Sequence, residues 1–202
     1  MKYPNTRFPR RGFTLVELLT VIAVIGILIS ILVPVSSAAF DMVKKAQSRN
    51  QFKQLGIALT AYKNEYGAYP NFFTSNTGYN INTATNDFII ALQGRGYEGN
   101  VPASPTNNRL LKEFYSFTDS DFFEFDDPAT LRPIADAFGN TGIFIACDVE
   151  NRGRVDAADP ENEGTITSIQ TKVAVWSDPS AAVIPSGAPI ERDDLDWIYS
   201  YD

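Results

Sequence analysis

The stretch Arg10-Arg11-Gly12-Phe13-Thr14-Leu15-Val16-Glu17-Leu18-Leu19, with the apolar run that continues from it to Val35, decides how the rest of the chain is read. One charged side chain, Glu17, sits in this run, which at 1.5 Å per residue is long enough to cross the ~30 Å hydrocarbon core of a bilayer as a helix. An ionised group at the bilayer centre costs roughly 2.5–3.5 kcal/mol on insertion scales, so Glu17 is a functional residue in need of a partner. If the chain is cut between Gly12 and Phe13, the new α-amino group lies four residues before Glu17. That is one helical turn, and the two opposite charges neutralise each other.

The string GFTLVELLTVIAVIGILISILVP resembles the front end of type IV pilins and type II secretion pseudopilins, including Gly26 and Pro34 where these proteins commonly carry helix-weakening residues. The resemblance implies a basic leader ending in Gly12, cleavage by a prepilin peptidase, N-methylation of the new N-terminal Phe13, and a role for Glu17 in assembly.

Composition sets limits on the chain beyond the span. In 202 residues there is room for one further globular domain of roughly 135–150 residues. Four of the 17 basic residues, Lys2, Arg7, Arg10 and Arg11, lie in residues 1–12, which hold no acid. The chain from Phe13 onward therefore keeps 13 basic residues against 24 acidic ones, a net charge of −11. A nucleic-acid partner is not expected of such a surface. There is no histidine, which excludes Ser-His and Cys-His triads and leaves zinc without its commonest nitrogen ligand. The single cysteine, Cys147, cannot form an internal disulfide. Many adhesive pilins that the front end resembles close a C-terminal loop with a disulfide, so its absence favours a pseudopilin.

Residues 1–12 are too polar to be the apolar core of a secretory signal peptide. The rival cleavage site, Ser37-Ala38-Ala39, would release a soluble protein and leave Glu17 purposeless in a discarded peptide. Positive charge alone barely orients the span, because Lys2, Arg7, Arg10 and Arg11 face Lys44, Lys45, Arg49 and Lys53 across it. The resemblance implies a cytoplasmic leader, a single pass through the inner membrane and a periplasmic head.

From Val35 to Tyr66, apolar residues recur mostly three or four apart: Val35, Ala39, Met42, Ala46, Phe52, Leu55, Leu59, Tyr62 and Tyr66. The pattern predicts one helix from about Phe13 to about Tyr66, roughly 80 Å long, with a bend or local melting at Pro34. Gly67 ends it and Tyr69-Pro70 starts an extended segment, a departure similar to that of pseudopilins. Residues 71–87 read as loop. A short helix capped by Asn86 or Asp87 comes next, with Phe88–Leu92 as its body and Gly94 as its end. Leu110–Phe117 reads equally as a short helix or an extended segment. Asp119, Asp121, Glu124, Asp126 and Asp127 read as a solvated loop whose phenylalanines 122, 123 and 125 tuck into the core.

Gly142–Cys147 and Thr171–Trp176 are β-branched and aromatic runs bounded by turn residues, with Thr165–Ile169 as a third candidate. Three or four short strands covered by the apolar stripe of the long helix give an α+β fold, a long N-terminal α-helix packed on a small antiparallel β-sheet. The domain expectation is a leader at residues 1–12, a transmembrane or filament-core helix at 13–35, and a pilin-like head at 36–202 whose first part, 36–66, is the amphipathic half of the helix. Asp136–Asn140, Val175-Trp176-Ser177 and Asp193-Asp194-Leu195 with Trp197 also resemble pseudopilin segments.

Two acidic clusters offer hard oxygens for a cation. Asp148–Asp156 has spaced oxygens and a turn Gly, but Arg152 intrudes, and a hairpin turn is the better reading. Asp178 with Asp193, Asp194 and Asp196 forms the second cluster, and resemblance to major pseudopilins implies calcium there, held by Asp178, Asp193 and Asp194, although Asp178-Pro179-Ser180-Ala181 departs from the family's usual residues after Trp-Ser. The expected protein is a structural subunit of a type II secretion pseudopilus, not an enzyme. Its implied partners are other copies of itself, minor pseudopilins, the prepilin peptidase and the inner-membrane assembly platform. A type IV pilin for adhesion, motility or DNA uptake is the alternative, and a membrane-anchored periplasmic enzyme or binding domain is the alternative of another class.

Overall fold

The computed structural model describes residues 13–96, 102, 106–124, 132–181 and 197–201, the side chains of residues 33–37 excepted. The chain divides into two compact units, Met1–Met42 and Val43–Asp202. Helix α1, Leu15–Tyr66, runs for 52 residues and continues through Pro34, so the local melting expected there does not occur. Gly67 ends it as anticipated. Its φ of +79° is left-handed backbone, and its N–H donates to the Lys63 carbonyl at 2.8 Å.

In the second unit α1 buries Phe52, Leu55, Ala58, Leu59 and Tyr62. They pack against a four-stranded antiparallel sheet made of β1 (Tyr79–Asn80), β2 (Ile143–Cys147), β5 (Val173–Ser177) and β6 (Ile198–Tyr199), in the order β1-β2-β5-β6. The register pairs Tyr79 with Ile145, Ile145 with Val175, and Trp176 with Tyr199. Side chains alternate across a strand, so Ile143, Ile145, Cys147, Val175 and Ile198 join Phe52, Leu55 and Leu59 in one core. Ala146, Ala174, Trp176 and Tyr199 point the other way, into a second core with Val155, Ala157 and Ala158. Those last three belong to β3 (Val155–Ala158), which pairs antiparallel with β4 (Ile166–Ile169) as a separate two-stranded sheet. The head is thus layered helix, sheet, hairpin. Each fully buried Leu, Ile or Phe contributes about 1.5–3 kcal/mol by leaving water.

The short helix α2 is Thr85–Gln93 and ends at Gly94, φ +74°, whose N–H donates to the Ile90 carbonyl. It begins before the expected cap. A 3₁₀ turn, Ile81–Ala84, leads into it, and the capping side chain is Asn80, whose carbonyl oxygen accepts from the Asn82 N–H at 2.9 Å. Residues 71–87 therefore hold β1 and this turn as well as loop. The Asn-rich composition hid both, because Asn82 is spent inside the fold, donating to the carbonyls of Ile134 (2.7 Å) and Thr141 (2.6 Å) and accepting from the Ile134 N–H (2.8 Å).

Leu110–Phe117 forms neither helix nor strand. Buried Asn108 ties this segment down by side-chain bonds to Lys112 N–H and carbonyl, Ala91 carbonyl and the Tyr66 hydroxyl, so its backbone is held without regular structure. In the acidic segment Phe122 is buried and Phe123 half-buried, while residues 125–127 lie outside the described residues. Asp121 is not solvated. It accepts from Thr118 N–H and hydroxyl, Gln51 of α1 and the Tyr115 hydroxyl, at 2.8–3.0 Å. Along α1, Ala39, Met42 and Ala46 of the apolar stripe are exposed, and among the described residues the first buried side chain of the helix is Ser48.

Candidate functional site

The first turn of α1 is the candidate site. Thr14 stands just before the first helical residue, and Glu17 sits three residues on. The Thr14 N–H and the Thr14 hydroxyl both donate to Glu17 Oε2 at 2.8 Å, while the Glu17 N–H donates to Thr14 Oγ1 at 3.2 Å. This reciprocal arrangement is a capping box, which satisfies two amide donors that a helix start otherwise leaves orphaned. The carboxylate also lies at the positive end of the helix dipole. An N-cap of this kind is worth about 0.5–2 kcal/mol.

The rest of the span is prepared for an apolar surrounding. Leu15–Leu32 has a mean hydropathy of 2.8, and none of it is buried within the chain. Its two hydroxyls are satisfied on the helix itself, Thr20 on the Glu17 carbonyl at 3.0 Å and Ser30 on the Ile27 carbonyl at 2.7 Å. Glu17 is thus the one charged side chain of this window, and its bound oxygen is already engaged.

Phe13 is exposed and lies ahead of the helix, one turn from Glu17; Gly12 is outside the described residues. In the uncut chain the nitrogen of Phe13 is a peptide amide, and the partner of Glu17 is Thr14. Thr14 has no charge to single it out, but Thr14-x-x-Glu17 directly before an apolar run is itself a helix-start signature.

Of the calcium candidates, Asp178 comes directly after the end of β5, where its Oδ1 accepts from the Ser180 N–H (2.9 Å) and hydroxyl (2.6 Å). Asp193 and Asp194 lie outside the described residues. Among the described residues no group of three or more potential ligands gathers. Asp148, in the other cluster, is a turn brace: Oδ1 accepts from Arg152 N–H (2.8 Å) and the Asn76 amide (3.0 Å), and Oδ2 from Gly153 N–H (2.8 Å). The turn reading of Asp148–Asp156 therefore holds, but the turn carries the chain from β2 to β3, in different sheets, and is not a hairpin. Burial pushes the Asp148 carboxyl up, and the hydrogen bonds from Gly153, Arg152 and Asn76, with the Lys63 ammonium, outweigh it and hold it below its ordinary value.

Residues 7–33 match the family described as the prokaryotic N-terminal methylation motif. The chain is similar to the type II secretion system core protein G of Pseudomonas aeruginosa, 34% identical over 65 residues, which is 32% of this chain and 46% of that protein. It is also similar to the fimbrial protein EcpB of Eikenella corrodens, 36% identical over 84 residues, 41% of this chain and 51% of that protein. The aligned regions span about half the length of these curated relatives. No solved structure matches the chain. The chain carries the N-terminal methylation motif of prokaryotic prepilin-like proteins on a pilin-like α+β fold, and its relatives are consistent with the type IV pilin and pseudopilin family.

Proposed function

We propose that the chain is a structural subunit of a type II secretion pseudopilus and does no catalysis. The observation that carries this reading is Glu17, placed one helical turn from residue 13 at the head of an otherwise uncharged 18-residue span that precedes a pilin-like head. The domains take their places from that role: leader 1–12, membrane or filament-core helix 13–35, periplasmic head 36–202. The precursor inserts in the inner membrane with the capping box holding Glu17 on Thr14. Prepilin peptidase cuts after Gly12, and the Phe13 amine becomes an N-methylated ammonium. On extraction by the assembly platform, Glu17 meets the Phe13 ammonium of a neighbouring copy, so a buried charge is paired as the subunit leaves the lipid. Minor pseudopilins join the same fibre, and Asp178, Asp193 and Asp194 hold calcium in the head.

The lone buried Cys147 supports a pseudopilin over a disulfide-looped pilin. Similarity to a fimbrial protein supports the second reading, a type IV pilin subunit. Mass spectrometry of membrane-extracted protein tests the processing: an N-methylated Phe13 peptide is expected, and a start at Met1 or Ala39 overturns it. Deleting the chain's gene separates the two roles, since retention of exported proteins in the periplasm marks a pseudopilin and loss of surface filaments with normal export marks a pilin.

A further inference from the structure

A groove of about 530 Å³ opens on the head between α1 and the start of β5. Gly56, Ile57 and Val173 line it, together with Lys53 and Lys172. Ile57 is 69% exposed, an expensive residue to leave in water. Neither lysine makes an ion pair among the described residues, and both are exposed.

The complementary shape and charge stand elsewhere on the same chain. The turn from β3 to β4 carries Glu161 and Glu163, both exposed and neither in an ion pair among the described residues, and then Ile166, which is 59% exposed. The turn is closed by Asp159 N–H to Thr165 carbonyl (2.8 Å) and Thr165 N–H to Asn162 carbonyl (3.1 Å), with Gly164 at φ +81°. A preorganised knob loses little conformational freedom on docking. It does not line its own groove: none of residues 161–166 borders it, and residues 167–170 separate Ile166 from Thr171 on the groove lining.

We propose that the groove beside Ile57 receives the Glu161–Ile166 turn of a second copy of this chain, with Lys53 and Lys172 facing Glu161 and Glu163. This rests on the reading of the chain as a fibre subunit and names the head contact that would hold copies in line. Because the two patches differ, the contact is head-to-tail, and its repetition builds an open helical polymer when the rotation between copies does not close into a ring.

The test uses the full chain expressed with its peptidase and assembly platform, with sheared fibre measured against membrane-inserted, cleaved subunit. Lys53→Glu with Lys172→Glu puts like charges together, and so does Glu161→Lys with Glu163→Lys, so each double variant alone should lower fibre yield by about tenfold or more. Co-expressing the two restores opposite charges at every contact of an alternating fibre, and yield should recover. Recovery also excludes misfolding as the cause of the losses. A second measurement places Cys at Ile57 in one tagged copy and at Glu163 in another; an oxidative cross-link between the two tags is expected. Unchanged yield in both variants, losses that co-expression does not recover, or a cross-link only to a different protein overturns the docking while wild-type fibres stand. A wild-type chain that makes no fibre overturns the subunit reading and this contact with it.

Discussion

Trp176 lies across Gly78 so closely that a Cβ on the glycine would stand 2.4 Å from Cη2 and 2.6 Å from Cζ2 of the indole. On the same side of the sheet the ring stacks on Phe144, centroids 5.7 Å apart and planes at 13°. Gly78→Ala must therefore displace the indole or the β1 backbone, and overpacking of this kind costs about 1–3 kcal/mol. Thermal unfolding of the detergent-solubilised chain, monitored by Trp near-UV dichroism, should show the loss. Gly26→Ala, with nothing within 4 Å of its Cβ, is the control expected to leave the head unchanged.

Asp148 gives a pH dependence with a definite sign. Its folded-state pKa is lowered, so the stability it contributes is present above the unfolded carboxylate value, about 3.9, and is lost as pH falls through the folded value. Asp148→Ala strands the Arg152 and Gly153 amides and the Asn76 side chain, costing about 1–3 kcal/mol at neutral pH. Denaturant titrations of wild type and variant should differ at pH 7 and converge as pH falls below about 4. A constant gap across that range would show that the carboxylate's charge is irrelevant to the turn.

At the helix start, we expect Glu17→Ala and Glu17→Gln to insert and be cut normally but to assemble poorly, because the partner of the Phe13 ammonium is gone. Thr14→Val removes the hydroxyl that caps the helix and leaves the carboxylate in place. It should cost about 0.5–2 kcal/mol of local helix stability, with Thr14→Ser close to wild type. Fibre yield of Glu17→Ala equal to wild type would remove the pairing mechanism.

Calcium, if bound by Asp178, Asp193 and Asp194 as proposed, stabilises only the folded head. At a hundred times Kd it should add about 2.7 kcal/mol, and each kcal/mol should raise the melting temperature by roughly 2–4 °C. Melting with calcium and with chelator, in wild type and in Asp193→Ala and Asp194→Ala, reads this directly. Absence of any calcium-dependent shift in wild type removes the site.

Where the chain's physics is local, its sequence declared it. The 3.6-residue period from Phe52 to Tyr62, the left-handed Gly67 and Gly94, and the β-branched runs that became β2, β4 and β5 each announce their own structure. Strands β1 and β6 have two residues each, too few for any period. Strand β3, Val-Asp-Ala-Ala, is poor in strand formers, and the contact that explains its alanines, beneath Trp176 and Tyr199, comes from far along the chain. The same split runs through the site. Glu17 and Phe13 stood out by charge and spacing, and Thr14 was legible too, but only as a helix-start signal, which a search for opposite charges does not seek.

The layering of the head sets an order of opening. Strands β2 and β5 pair with each other along their whole length and with β1 and β6 at Phe144–Ile145 and Trp176–Ser177, and both faces are covered, so the amides of this central pair should be the slowest in the head to exchange. Strand β4 has exposed or half-exposed side chains along its length and, among the described residues, pairs with β3 alone. Its amides should exchange through local fraying, many times faster. A neighbouring subunit seated against Ile166 would slow them, so β4 is the part of the head whose exchange rate reports whether a copy stands alone or in a fibre.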